Sequence, residues 1–170
     1  NFRVQHAAPL THAAAPTLAF SLNITEAAAG MSIQNVLLQC QIQIEATRRS
    51  YNADEQSRLE ELFGKAHRWG ETLRSMHWTR TSLLVPPFYE EITVDLQVPC
   101  TFDFNVAATK YFSGLDHGEI PLLLLFSGSI FYRNDDGSLQ VMQIPWSKET
   151  RYRLPVKVWK EMMEIYCPNT

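Results

Sequence analysis

Cysteine is scarce in this chain of 170 residues: Cys40, Cys100 and Cys167 are odd in number and widely spaced. They form neither a disulfide framework nor Cys-x-x-Cys ligand pairs, and a reducing cytoplasm, the location we expect, suits them best. Glycine is scarce as well. Its seven residues never fall as G-x-G-x-x-G or ahead of Lys-Ser/Thr, so the backbone cradle for nucleotide phosphates is missing. His6, His12, His67, His77 and His117 are scattered, with no H-E-x-x-H and no other short ligand spacing. No metal or other cofactor is expected. Runs of like charge are absent and the formal net charge is -3, which argues against nucleic acid as a partner. The longest apolar run, Ile120 to Phe126, is far short of the ~20 residues that span a bilayer. No charged-then-apolar leader opens the chain, so we expect a soluble protein with no membrane span.

With 45% hydrophobic and 19% charged residues, the chain has the composition of one ordinary globular domain. A compact fold of this size hides roughly 70% of the surface of its unfolded chain, enough for a core without metal or disulfide. In "VLLQCQIQIE", Val36, Leu38, Cys40, Ile42 and Ile44 alternate with Gln39, Gln41, Gln43 and Glu45. Period two of this kind marks a strand with one buried and one wet face, the habit of antiparallel sheets. The pattern recurs in Ile92, Val94, Leu96 and Val98, and again in Phe102, Phe104 and Val106. Around Asn134-Asp135-Asp136-Gly137 two β-rich stretches predict a long hairpin. Met76 to Val85 reads as a strand closed by Pro86-Pro87.

Two helices interrupt the strands. Asn52 with Glu55 three residues on predicts a capped helix near 53–63, with Leu59, Leu62 and Phe63 as its apolar stripe and Gly64 as its stop. Pro155 suits the start of a second helix near 156–166, where Val158, Met162 and Ile165 share a face beside Trp159, Met163 and Tyr166. The segment Ala107 to Leu115 fits either a strand extension or a helix. Residues 1–17, rich in alanine and proline, read as an N-terminal arm or a poorly fixed edge strand, and residues 18–170 as a single domain. The expected fold is mainly β: an antiparallel β-sandwich, the immunoglobulin type among the candidates, with two peripheral helices. An α+β sheet with both helices on one face is the alternative. The chain begins at Asn1 rather than methionine and stops just after a helical pattern, which points to the ordered part of a longer chain.

Candidate chemistry is thin. "FSGSI", around Ser127 to Ser129, lacks the G-x-S-x-G pattern and lies in a strand, where Gly128 marks a bulge or close backbone approach. Cys100 follows Pro99 at a strand end and is the one thiol worth testing for reactivity. Glu60-Glu61, Glu90-Glu91 and Asp135-Asp136 fall on a helix surface, before a strand and in a turn. They read as solvated charge rather than a catalytic pair. What remains is aromatic and arginine content: Arg68, Trp69, Arg74 and Trp78 in one neighbourhood, Trp146, Arg151, Tyr152, Arg153 and Trp159 in another. Tyr, Trp and Arg dominate interface hot spots, although Trp69 and Trp159 also suit the ends of a sandwich under the helices.

The phrases "LFGKAHRWGETLRSMHW", "VPCTFDFNVAATKYF", "GEIPLLLLFSGSIFY" and "PWSKETRYRLPVKVW", taken in order, resemble a bacterial family described only as a domain of unknown function, over about Leu18 to Asn169. The resemblance implies a further segment after the last helix. It also implies an association with oxygen-tolerant uptake nickel–iron (NiFe) hydrogenases, beside whose genes the family's genes often stand. It supplies no catalytic residues. The resulting expectation is a non-catalytic accessory or assembly protein that binds another protein, a hydrogenase or maturation factor on the strength of the resemblance. Binding would use Arg68, Trp69, Trp78, Trp146 and Arg151, or a sheet edge. Two alternatives stand beside it: a small hydrolase or ligand-binding enzyme, betrayed by a deep pocket with His67, His77 or His117 next to a carboxylate, and a subunit of a homomeric assembly.

Overall fold

The computed structural model describes residues 1–26, 32–101, 106–145 and 148–166. Its strands are β1 (Phe2–Pro9), β2 (Thr17–Thr25), β3 (Ser32–Ile44), β4 (Met76–Val85), β5 (Phe88–Tyr89), β6 (Glu91–Pro99), β7 (Glu119–Arg133), β8 (Leu139–Gln143) and β9 (Glu149–Pro155). Its helices are α1 (Ala53–Arg58), α2 (Glu60–Phe63), α3 (Trp69–Thr72), α4 (Val106–Ser113) and α5 (Val156–Tyr166), with 3-10 turns at Ala46–Arg48 and Ala66–Arg68.

The strands form two antiparallel sheets. One has the order β1-β2-β6; the other has β4-β3-β7-β8, with β5 also on β3 and β9 also on β7. In chain order they correspond to strands A, B and E against C′, C, F and G of an immunoglobulin-type Greek key, the last strand being split into β8 and β9. The fold is thus the expected mainly-β sandwich with helices added. Edges of the two sheets meet at two seams, β1 beside β9 and β4 beside β6, where Thr81 Oγ1 donates to the Gln97 carbonyl at 3.0 Å.

Period two explains the core. Leu18, Phe20, Leu22 and Ile24 of β2 point toward Val36, Leu38, Cys40, Ile42 and Ile44 of β3, all buried, each large side chain contributing about 1.5–3 kcal/mol. Aromatic rings close one end: Trp78 meets Phe20 and Phe112 edge-to-face, and Phe112 leans on Trp159 of α5.

Several expectations are corrected or sharpened. Of the two readings of residues 1–17, the edge strand holds for 2–9: β1 is in register with β2 and bulged between Val4 and His6. Ala107 to Leu115 resolves as helix α4, with Ala108, Tyr111 and Phe112 buried at helical spacing. The period-two reading of Phe102 and Phe104 lies outside the described residues, and Val106 opens α4 rather than ending a strand. The predicted helix at 53–63 is broken in two at Leu59, α1 keeping both capping-box bonds between Asn52 and Glu55. Pro155 closes β9 instead of opening α5, whose buried face is Val156, Trp159 and Met162; Ile165 is exposed. Glu45 departs most instructively. Parity put it on the wet face, but the strand ends at Ile44 and the turn carries Glu45 inward, where it is 8% exposed.

Candidate functional site

The residues proposed from sequence do not converge. Trp69 and Trp78 are core residues: Trp69 donates its Nε1–H to the Gly64 carbonyl at 2.9 Å and stacks edge-to-face on Tyr51 and Phe63, while Trp78 is 3% exposed. Both were candidates for a binding surface; Trp69 instead fills the alternative place at the end of the sandwich under the helices, and Trp78 joins the core there as well. Arg68 is exposed on its 3-10 turn, 3.8 Å from Glu71. Arg151 lies on β9, where it and Arg48 clamp the carboxylate of Glu45 at 2.9 and 3.2 Å. Trp146 lies outside the described residues.

His117 and the Glu55 carboxylate line one surface depression around Arg49. The Glu55 carboxylate accepts from the backbone N–H groups of Asn52 and Asp116, each at 2.9 Å, and pairs with Arg49 at 3.0 Å. Arg49 also donates to the carbonyls of His117 and Glu119. Burial pushes the Glu55 carboxyl up, but the Asn52 and Asp116 N–H bonds and the Arg49 charge outweigh it and hold the group below its ordinary value. With its lone pairs so engaged, Glu55 ties the α1 start to the 116–119 loop and is not poised as a base. His67, His77 and His117 are exposed on separate elements. Among the described residues no three His, Cys, Asp or Glu side chains gather as metal ligands. Cys100 is 8% exposed, and burial pushes both its thiol and that of Cys40 up to about 12, which removes the thiolate that reactivity needs.

The feature that stands out is apolar and on the outside. On β3, Leu37 shares the outward parity of Gln39, Gln41 and Gln43; its register partners are Leu84 on β4 and Ser129 on β7. The next rows pair Asn35 with Phe131 and Val141, and Arg133 with Leu139. Leu84 is 61% exposed, Val141 55%, Leu139 53% and Leu37 50%. Leu37, Leu84 and Leu139 border a shallow depression of about 340 Å³ that also includes Phe131 and Arg133. Farther along the face β3 and β4 turn polar, through Ser82 and Gln39 to Arg80 and Gln41, while β7 brings Ser127 and then the half-buried Leu125. Sequence reading missed this end of the face although the signal was present: apolar residues at the wet parity of two neighbouring strands.

A second cavity, of about 240 Å³, lies between the sheets behind β8, lined by Phe2, Ile24, Val36, Phe88, Ile130 and Met142.

Fold and site together define a mainly-β sandwich capped by short helices, with an apolar surface at one end of its larger sheet. Residues 1–170 match the family of unknown function DUF6084, and the chain belongs to that family. No curated protein matches it.

Proposed function

We propose that the protein is a non-catalytic accessory or assembly factor that binds another protein through the apolar end of its outer sheet face. The observation that carries this reading is the exposure of Leu37, Leu84, Leu139 and Val141 together on adjoining strands, since contiguous exposed apolar surface on a folded domain marks an interaction site. Arg68 and Arg151 remain exposed candidates for contacts elsewhere on the surface, Arg151 lying in register with Leu123, six residues along β7 from the Leu37 row. The family likeness makes a nickel–iron hydrogenase or one of its maturation factors the first partner to test.

The test is a titration of the full-length protein against purified hydrogenase subunits and maturation factors. Binding that weakens at least tenfold in Leu84→Glu, with an unchanged melting temperature, supports the reading; equal binding by wild type and variant contradicts it. A 61% exposed leucine can take a charge at a cost within about 0.5 kcal/mol, so lost binding would not reflect lost fold.

A further inference from the structure

Strand β8 differs from the other edges. Among the described residues it pairs only with β7. The bonds from Ile144 N–H to Gly128 O and from Asn134 N–H to Ser138 O bracket that ladder and set its phase. In an antiparallel pair alternate residues turn their backbone groups toward the neighbour. Gln140 and Met142 therefore face β7, and the N–H and C=O groups of Leu139, Val141 and Gln143 face outward.

Natural edges are protected by charge, proline, bulges or cover. Strand β1 carries Arg3, a bulge and Pro9 and lies beside β9; β4 lies against β6; β9 carries Glu149, Arg151 and Arg153. The β8 sequence, Leu-Gln-Val-Met-Gln, has no charge and no proline, and its register with β7 is unbroken.

Immediately inside this edge is the 240 Å³ cavity between the sheets. Val36, Ile130 and Met142 form one register row leading to it, and Met142 at the end of that row is 37% exposed. The lining is mostly apolar; its two charged side chains, Glu26 and Lys148, are of opposite sign, and Lys148 donates to the Asn1 side chain. An occupant of the interior is therefore apolar.

We propose that β8 receives an extended segment of the protein partner as an added strand. Its inward side chains are apolar and enter the cavity, and its outward side chains extend the Leu139–Val141 surface. The inference rests on the protein-binding reading above and specifies the shape and chemistry of what is bound. A second copy of this chain fits less well. Edge-to-edge pairing through the five residues of β8, about 17 Å at ~3.4 Å per residue along a sandwich ~10 Å deep, buries on the order of 400 Å², against the ~1,200 Å² of a stable interface. An added strand pairs its edge and also buries its inward side chains in the cavity.

The test selects phage-displayed random 12-residue peptides on the full-length protein. Selected peptides should show apolar residues at every second position. They should slow amide exchange at Leu139, Val141 and Gln143 at least tenfold, and bind at least tenfold more weakly to Val141→Pro. That variant removes an outward N–H and leaves the β7 ladder intact. Met142→Glu, a charge at the cavity mouth, should give the same loss and guards against misfolding of the proline variant. Failure to select any peptide, or binding to both variants as tight as to wild type, overturns strand addition. If the natural partner is lost in Leu84→Glu but binds Val141→Pro and Met142→Glu as wild type, strand addition fails while the surface reading stands. If the partner is indifferent to all three, both fail.

Discussion

A methyl group on Gly128 would lie 1.9 Å from the Leu37 carbonyl oxygen, and the residue has φ +133. Both facts forbid a side chain where β7 crosses the apolar end of β3. Gly137 has φ +84 but nothing within 4 Å of an added methyl, which makes it the control. Gly137→Ala should cost about 1 kcal/mol for the left-handed backbone alone, and Gly128→Ala about 3 kcal/mol or more, because the obstructing atom is backbone. Urea unfolding of the two variants measures this, and equal losses would refute the close approach.

Residue-scale chemistry also sets the acid limit. Glu55 is held below its ordinary value of 4.5, and Asp116, bonded to Arg58 and Asn52, below 3.8. Depressed folded values mean that the unfolded chain takes up protons first as pH falls. Both contributions are complete above about pH 5 and fade as pH drops through the folded values. Glu55→Gln leaves Arg49 buried at 8% side-chain exposure without its charge partner and should cost about 3–5 kcal/mol at pH 7. Its stability should fall less steeply with acid than that of wild type. A variant with the wild-type acid slope would show that the pair does not govern this limit. The native protein should leave Cys40 and Cys100 unlabelled by maleimide until denaturant unfolds it; peptide mass mapping reads this directly, and rapid native labelling of either would contradict their burial.

At the scale of elements, the helices act as lids on aromatic rings. Trp78 and Trp159 join the Phe20–Phe112 cluster beneath α4 and α5. Trp78→Ala and Trp159→Ala should each cost about 3–5 kcal/mol, whereas Arg68→Ala should change stability by less than about 0.5 kcal/mol. Thermal unfolding separates them, and a harmless Trp78→Ala would restore that residue to the surface set. Elements with a repeated physical signal were readable in advance: β6 alternates over its length and β3 from Leu38 to Ile44, and Asn52 with Glu55 announces α1. Others were hidden for specific reasons. In β1 alanine and proline stand where a strand normally shows branched or aromatic residues, and pairing with the largely buried β2 overrides that composition. The α4 sequence carries its apolar residues at positions that suit either period. Glu45 followed strand parity one residue beyond the strand. Trp78 illustrates the opposite error, and Trp69 the open alternative: composition typical of interfaces is equally typical of cores, and only tertiary packing tells them apart.

For the molecule as a whole, the buried ion pair, the aromatic cluster and the glycine contact hold up one broad sheet, whose outer face is polar at one end and apolar at the other. Leu37 and Leu84 were legible as exceptions to their strands' polar parity; that Phe131, Leu139 and Val141 join them depends on register, which one sequence does not contain. Among the described residues no helix is long and apolar enough to cross a membrane, and the proposed use of this face is to meet another protein. The measurement that bears on this most directly is the native mass of tagged full-length protein purified gently from its own cells, as wild type and as Leu37→Glu/Leu84→Glu. The expected result is a stoichiometric complex with a second protein for wild type, and the protein without that partner for the double variant, with equal melting temperatures. Wild type recovered alone or only as copies of itself, or a complex that survives both charges, would contradict binding through this face.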